Sequence, residues 1–221
     1  AVLAALEHHR RTGEGQYIDL AQVEAMDHYM APALLDMQAN HTSPHRTGNR
    51  HPQAAPHGVF QCKGDDRWVA IAVFTQDEWR GLCQALGDPQ WCQEERFATL
   101  AGRKQNEDAL ERLIAGWSQN QVAEEAMEHL QRHGVAAGVV QNPQDLLESD
   151  PQVRARELFP VLHHPVIGDC THPAAAAKLS RSPTRLKTSP LLGEHNELVF
   201  CQFLGMSSEE FADLVREQVI Y

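Results

Sequence analysis

The sequence predicts an α/β fold, and three stretches of the chain carry that prediction. Residues 2–11 have apolar side chains at helical spacing, and a glycine turn then leads into the short alternating segment at residues 16–20. Residues 48–73 run from a loop rich in glycine, proline and histidine into two short apolar strands. Residues 121–133 again have helical spacing and precede the apolar run at residues 135–140. Helices and strands therefore alternate along the chain.

The first elements are a helix over residues 2–11 that Gly13 ends, a short strand at residues 16–20 and a long apolar helix over residues 23–39. Pro32 predicts a kink in the long helix. One face of that helix carries a stripe of side chains that we expect in the core, namely Met26, Met30, Leu34 and Met37. The chain starts at Ala1 inside a helical pattern with no capping residue, so we expect a fragment that lacks its N-terminal part.

The loop before the hairpin is the most informative segment. Gly48, Pro52, Pro56 and Gly58 fall within eleven residues, so the backbone there can turn tightly and let a ligand come close. Residues 58–62 and 68–73 are predicted as the two strands of a hairpin across the charged turn at residues 63–66. We therefore expect a ligand-facing loop that the hairpin fixes at one end.

The later elements follow from the same signals. We predict helices over residues 77–86, 106–117 and 121–133, the last capped by Asn120, then a buried strand at residues 135–140 and a helix after Asn142. Residues 158–163 and 166–170 are predicted as an extended pair, and residues 173–190 as an irregular connector. A helix is expected from Gly193 through Leu204, and Ser207 is the predicted cap of the final helix.

The composition disfavours several classes of partner for this protein. The formal net charge is −11 and the basic residues are dispersed, which disfavours nucleic acid as a partner. The five cysteines include no close pair, which favours free buried thiols in a reducing cytosol. No apolar run approaches the ~20 residues of a membrane span, so we expect a soluble cytoplasmic protein with no membrane partner. Thirteen histidines are present without the spacing of metal ligands, so no metal site is expected.

Four segments together resemble the family III CoA-transferases, the group that includes formyl-CoA:oxalate and carnitine CoA-transferases. The segments are Arg11-Thr12-Gly13-Glu14-Gly15-Gln16-Tyr17-Ile18-Asp19, the loop from Gly48-Asn49-Arg50-His51-Pro52 through Cys62, Gly134-Val135-Ala136-Ala137-Gly138-Val139, and Pro190-Leu191-Leu192-Gly193-Glu194-His195. Each alone is weak, and their order across nearly the whole chain makes the match strong. Residues 96–99 and 150–152 also fit.

The resemblance implies a two-domain α/β subunit with a Rossmann-like large domain and a smaller α+β domain, two subunits being interlocked as linked rings. This chain would hold the second half of the subunit. Residues 1–44 would end the first pass through the large domain, residues 45–175 would form the small domain, and residues 176–221 would return to the large domain.

The resemblance also implies the chemistry. Family members move CoA between carboxylic acids through an aspartate that forms acyl-anhydride and aspartyl-CoA thioester intermediates. That aspartate lies upstream of this chain, so no catalytic residue is expected here and the chain alone should be inactive. The implied substrates are an acyl-CoA thioester and a small carboxylic acid, the implied assembly is a homodimer, and no permanently bound cofactor is expected.

The loop is the part of the site that remains, and its expected substrate and CoA residues are Gly48, Asn49, Arg50, His51, Gln53 and Gly58. Formyl-CoA transferases have a run of glycines after Gly-Asn, whereas this loop has larger residues, which indicates a stiffer lid and another acid specificity. Arg50, His51 and Gln53 offer donors to a carboxylate or to CoA. The alternative is that Asn49 and His51 only pin the loop to the hairpin.

Two rival functions stay open at this stage. The first is an acyl-CoA racemase of the same fold, although this chain has Thr75-Gln76 where racemases have a Glu-Pro pair. The second is a truncated domain that only binds a partner. Among other candidate residues, Glu194-His195 is interpreted as a capping arrangement and Asp65-Asp66 as a solvated turn. Arg103-Lys104 and the basic residues between 178 and 187 are CoA-phosphate candidates, with a solvated surface as the favoured interpretation.

Overall fold

The structure is a computed structural model that describes residues 1–42 and 45–220 and divides into two units, Ala1–Gly138 and a second unit from Val139 onward. The predicted domain limit at residue 44 and the predicted end of the last segment at residue 221 lie outside the described residues. The predicted limits of the three segments stay a prediction.

The first unit begins with helices, continues through a hairpin and ends in helices and a strand. Its helices are α1 (Val2–Thr12), α2 (Gln22–Asp27), α3 (Ala31–Asn40), α4 (Gln76–Ala85), α5 (Leu100–Gln105), α6 (Glu107–Ser118) and α7 (Ala123–Arg132). Short 3₁₀ turns lie at His28–Met30, Gln90–Gln93 and Glu95–Phe97. The strands are β1 (His57–Gln61), β2 (Trp68–Ala72) and, at the boundary of the units, β3 (Ala136–Val139), in the sheet order β1-β2-β3.

The second unit consists of short elements. They are α8 (Pro143–Glu148), α9 (Pro151–Ala155), β4 (Val161–His164), β5 (Gly168–Thr171), a π-helical segment at Leu198–Phe203 and α10 (Ser208–Arg216). The predicted extended pair is confirmed as the antiparallel β4–β5 hairpin. The Ser207 cap is also confirmed, because its side chain accepts a hydrogen bond from the backbone N–H of Glu210. The helix predicted through Leu204 takes the wider π form over six of its residues.

The hairpin before α4 forms as predicted. His57 pairs with Ala72 and Gln61 with Trp68, so the strands are in antiparallel register across the charged turn. Thr75 then starts α4 with a capping box, in which its side chain and that of Glu78 each accept a hydrogen bond from the other's backbone N–H. This cap sets the direction in which the chain leaves the sheet.

The buried core of the described residues lies almost wholly between residues 54 and 135. It joins the hairpin to the inner faces of α4, α6 and α7, and its large apolar side chains that are fully buried are Phe97, Ile71, Leu82, Leu110, Ile114, Leu130, Val69, Val73 and Val135. Each fully buried side chain of this kind contributes roughly 1.5–3 kcal/mol to folding. The loop and helix α6 are therefore held by one packed body.

The start of the chain differs from the prediction. Residues 16–20 form no strand, because among the described residues no neighbouring strand takes up their backbone hydrogen bonds. The predicted long helix is interrupted at His28–Met30, which confirms the kink predicted from Pro32, because a proline ring in a continuous helix would clash with the carbonyl four residues earlier. Its methionine stripe was predicted to be core and is exposed, with Met26 56% exposed and Met37 46%. Helices α1, α2 and α3 bury no residue in the described chain, so this stripe lacks a packing partner there.

Two further predictions about α7 and β3 are wrong. Val122 rather than Asn120 precedes the first turn of α7, and the Asn120 side chain donates instead to the carbonyl of Gly116 at 3.1 Å. Helix α7 starts two residues after the predicted Gln121, because the carbonyl of Gln121 accepts a hydrogen bond from the backbone N–H of Lys63 in the hairpin turn. The strand predicted as buried is partly exposed, since β3 ends the sheet order and has a neighbour on one side only.

Candidate functional site

The loop at residues 48–58 starts with a tight turn. Gly48 has a φ of +63°, in the left-handed region that favours glycine, and the N–H of Arg50 donates to the carbonyl of Thr47 at 3.3 Å. Among the described residues other than its chain neighbours, none has an atom within 4 Å of where a Cβ of Gly48 would stand, so the requirement for glycine here is conformational. The turn brings the Arg50 side chain over helix α6.

The far end of the loop is buried and tied to the hairpin. Ala54 and Ala55 are 0% exposed. The N–H of Ala55 donates to the carbonyl of Val73 at 3.1 Å, and the N–H of Val73 donates to the carbonyl of Pro56 at 2.9 Å. This pairing extends the β1–β2 ladder into the loop, so the loop is fixed at this end as the sequence predicts.

Arg103 lies beneath the loop. Its Nε donates to the carbonyl of Ala55 at 2.8 Å and its Nη1 to the carbonyl of Phe97 at 3.1 Å. The guanidinium also stacks over the ring of Trp79, 4.6 Å from the ring centroid. Burial lowers the pKa of Arg103, and the residue is 1% exposed. The predicted alternatives for Arg103, a CoA phosphate or solvent, are both wrong, because a buried arginine must satisfy its donors internally.

Lys104 holds the middle of the loop. Its ammonium donates to the carbonyl of His51 at 2.9 Å and to Glu107 at 2.7 Å. The side chain of Lys104 is 26% exposed and that of Glu107 only 10%. Lys104 is therefore engaged in the loop's own structure and is not the solvated residue that the sequence suggested.

Arg50 joins the start of the loop to helix α6. Its Nε and Nη2 donate to the two carboxylate oxygens of Glu111, each at 2.8 Å, and Nη2 also donates to Asp108. Glu107 lies 3.9 Å from Nε of Arg50. The carboxylates of Glu111 and Asp108 raise the pKa of Arg50, with the hydrogen bond to Glu111 as the largest cause. This acidic face was not predicted from the sequence, where its signal is carboxylates spaced three and four residues apart on one helix.

The remaining predicted loop residues contact one another. Nδ1 of His51 accepts a hydrogen bond from the N–H of Gln53 at 3.1 Å, and Nδ1 of His57 donates to the carbonyl of Asn49. The rings of His51, His57 and Phe74 lie with centroids 5.3 to 5.9 Å apart. These contacts match the interpretation in which Asn49 and His51 pin the loop, while ligand binding by the loop stays a prediction.

A cavity of about 630 Å³ opens beside the loop. Residues 47–50 form its loop side, and residues of β1 and α6 together with Trp68 of β2 form the rest. A second cavity of about 340 Å³ shares Asn49 and Gly58 and is lined mainly by small apolar residues of the sheet. The predicted residues Gly48, Asn49, Arg50 and Gly58 thus lie together at cavity walls, whereas His51 and Gln53 line neither of these two cavities.

The other candidates have local structural partners. Glu194 accepts a hydrogen bond from the N–H of Leu191 at 2.6 Å, as the capping interpretation predicts. Asp65 and Asp66 are exposed in the hairpin turn, and Asp66 accepts from the indole N–H of Trp68 at 2.8 Å. Gln76 is one of the two residues that stand where racemases have a Glu-Pro pair, and its side chain donates a hydrogen bond to the carbonyl of Ala98.

Within residues 1–42 and 45–220, no group of three or more histidine, cysteine, aspartate or glutamate residues is arranged to hold a metal ion. No helix in the same part of the chain has the length and apolar character needed to cross a membrane.

The contact between Arg50 and Asp108 leads to a prediction about pH. The hydrogen bond from Arg50 lowers the pKa of the Asp108 carboxyl from its ordinary 3.8. A carboxylate with a lowered folded pKa stabilises the fold above the unfolded pKa, and this is lost as the pH falls through the folded value. We expect the contact to be unchanged from about pH 8 to about pH 5 and to break only in stronger acid. A carboxyl-carbon NMR titration with a midpoint below 3.8 at Asp108 would show this, with Asp108→Asn for assignment. A midpoint at or above 3.8 contradicts it.

Comparison with known proteins identifies relatives of the whole chain. A family model described as CoA-transferase family III matches residues 1–196. The chain is 31% identical over 99% of its length to the succinyl-CoA–D-citramalate CoA-transferase of Chloroflexus aurantiacus and covers 54% of that protein. It is 29% identical over 99% of its length to the formyl-CoA:oxalate CoA-transferase of Streptomyces coelicolor and covers 57% of it. The chain thus spans about half the length of these relatives.

The fold has a matching solved structure. A CAIB/BAIF family protein from Brucella suis superimposes with a TM-score of 0.79 at 27% sequence identity, over 91% of this chain and 51% of that one. The arrangement of helices and strands described above is therefore shared with a solved protein.

Proposed function

The chain belongs to CoA-transferase family III, and from this premise we propose that the full-length protein containing it moves CoA from an acyl-CoA to a small carboxylic acid. The match of the family model to residues 1–196 is the observation that carries the proposal. The relatives described above support it, because both are CoA-transferases named for a dicarboxylic acid, D-citramalate or oxalate. We infer a small dicarboxylic acid as the acceptor class for this protein as well.

The proposed route uses an aspartate outside this chain. Its carboxylate attacks the thioester carbonyl, releases CoA thiolate and forms a mixed anhydride. The thiolate then attacks the aspartyl carbonyl, giving an aspartyl-CoA thioester and the free donor acid. The acceptor carboxylate attacks the aspartyl-CoA carbonyl, which releases CoA thiolate and forms a second mixed anhydride. The thiolate then attacks the acceptor's carbonyl in this anhydride, so the acceptor leaves as its CoA thioester and the aspartate is free again. No residue of this chain has the nucleophile's role, and the chain by itself is proposed to be inactive.

The proposed part of this chain in the reaction is the loop at residues 48–58. Its donors and backbone, in Gly48, Asn49, Arg50, His51, Gln53 and Gly58, would cover the reacting carbonyls and keep water away from them. The anchoring of the loop at Ala55 and His51 supports this role, since a lid that excludes water needs a defined closed position. The adjacent cavity of about 630 Å³ is large enough for part of a thioester substrate.

The assembly that we propose follows the family. Residues 1–44 and 176–221 would belong to a Rossmann-like large domain and residues 45–175 to a smaller α+β domain, in an interlocked homodimer. The exposed apolar side chains of α1 to α3 support a covered position for this segment in the whole protein. CoA enters as a substrate thioester, with no permanently bound cofactor, and the proposed location is the cytoplasm.

Intact-protein mass spectrometry tests the proposal. The full-length protein is incubated with succinyl-CoA or formyl-CoA and then with hydroxylamine, which releases covalent acyl and CoA adducts. An adduct on an aspartate, followed by CoA transfer to a dicarboxylic acid such as D-citramalate or oxalate, supports the function. The absence of an adduct together with solvent deuterium at the α-carbon of a 2-methylacyl-CoA would instead establish a racemase.

A further inference from the structure

Arg50 attaches the start of the loop to helix α6, and a hydrogen bond from His57 to the carbonyl of Asn49 attaches it to strand β1. Arg50 makes two parallel hydrogen bonds to the carboxylate of Glu111, each 2.8 Å long, and a third to Asp108. Paired bonds between a planar guanidinium and a carboxylate fix direction as well as distance. We propose that Arg50, Asp108 and Glu111 form a latch that positions the loop during CoA transfer and keeps water from the reacting carbonyl.

Helix α6 is a rigid base for this latch. Leu110 and Ile114 of the helix are 0% exposed and lie in the core. Asp108 and Glu111 are three residues apart, so the helix presents both carboxylates on one side. The carboxylates therefore keep a fixed position, and the loop moves relative to them when the latch opens.

The latch has a paired geometry that ordinary surface ion pairs lack. The side chains of Arg50 and Glu111 are 38% and 32% exposed and that of Asp108 is 76% exposed, so the paired bonds to Glu111 are the part of the latch that solvent screens less. Without Arg50, the carboxylates of Asp108 and Glu111 would lose their guanidinium partner, while Lys104 would stay paired with Glu107 and Arg112 would stay near Asp108. The guanidinium thus fixes the position of the loop and also reduces the repulsion between the Asp108 and Glu111 carboxylates of α6.

The two ends of the loop are held by different contacts, so the latch can open while the contacts at the far end of the loop stay intact. The segment at Ala55 and Pro56 is bonded to Val73 and Arg103 and does not involve Arg50. Opening the latch should loosen residues 47–50, which keep the hydrogen bond from His57 to the carbonyl of Asn49, while His51 stays bonded to Lys104 and Ala55 stays in place. A general loss of folding would expose both ends together, so the two effects can be told apart.

The inference rests on the proposed function in one respect only. Mixed anhydrides and thioesters react with water as well as with a carboxylate, so a loosened loop should raise hydrolysis relative to transfer. A residue with a merely structural role would change the amount of folded protein and leave this ratio unaltered. Arg50 and Glu111 are positioning residues in this account, because they act through the loop.

The test uses the full-length protein with Arg50→Lys and Glu111→Gln, singly and combined. Arg132→Lys and Glu128→Gln, at exposed positions of α7, are the matched controls. Hydrogen exchange compares the amides of residues 47–50 with that of Ala55, and a second assay compares succinyl-CoA hydrolysis with transfer to a dicarboxylic acid. The double variant should resemble the singles, since each breaks the same contact.

We expect both single variants to raise exchange at residues 47–50 and the ratio of hydrolysis to transfer by about tenfold, the factor given by ~1.4 kcal/mol. Exchange at Ala55, and exchange in both control variants, should match the unmodified protein. Unchanged exchange at residues 47–50 overturns the latch. Faster exchange with an unchanged ratio overturns its part in excluding water. If the unmodified protein transfers no CoA, the proposed function fails, and the exchange data still decide whether the latch exists.

Discussion

Replacing Arg103 by alanine should lower the free energy of unfolding of the first unit by about 3–5 kcal/mol. The side chain is 1% exposed and supplies the hydrogen bonds to the carbonyls of Ala55 and Phe97. Its removal leaves those carbonyls unpaired and opens a cavity beneath Trp79. Urea unfolding followed by tryptophan fluorescence measures the loss, since Trp79 is itself buried.

The matched control for this prediction is Arg132→Ala. Arg132 is exposed at the end of α7, so its removal should change stability by no more than about 0.5 kcal/mol. Arg103→Lys should fall between the two variants, because lysine keeps the charge but loses the fork that bonds two carbonyls. A stability of Arg103→Ala within the range of the control would show that Arg103 does not hold the loop.

Replacing Gly81 by alanine should destabilise the first unit by about 3 kcal/mol. Gly81 lies in α4, and a Cβ there would stand 2.1 Å from the carbonyl oxygen of His133. That oxygen belongs to the backbone after α7, so the two helices must move apart to relieve the clash. The same urea unfolding experiment measures the effect.

Gly116 provides the matching control for Gly81. It lies in α6, and nothing stands within 4 Å of its would-be Cβ. Gly116→Ala should therefore raise stability by about 0.5–1 kcal/mol through helix propensity and a less flexible unfolded chain. Equal effects at the two positions would contradict the close approach of α4 to the end of α7.

The local elements were predictable because their signals are local. Ser207 and the hairpin turn lie within a few residues of the groups that they bond, so composition and spacing identify them. The strand predicted at residues 16–20 and the methionine stripe depended on neighbours far away in sequence, and the described residues supply none. Periodicity identifies a face that is apolar and does not identify what covers it.

The candidate site was predictable in part for the same reason. Glycines, prolines and histidines between Gly48 and Gly58 marked the loop, and the structure shows its anchored end at Ala55. The contact of Arg50 with Glu111 joins residues 61 positions apart, which no local pattern reveals. Arg103 was misjudged because charged residues are mostly exposed, and only the arrangement of Ala55 and Phe97 around it explains its burial.

The free thiols are distributed unevenly between the two units. Cys62, Cys83 and Cys92 of the first unit are buried, whereas Cys170 and Cys201 of the second are half-buried. A thiol-reactive dye added to the folded chain would therefore attach first to the second unit, and labelling of the first unit would await its opening. The rate of labelling at each cysteine, measured from the masses of the labelled peptides, therefore reports how often each unit exposes its thiols, without an engineered probe.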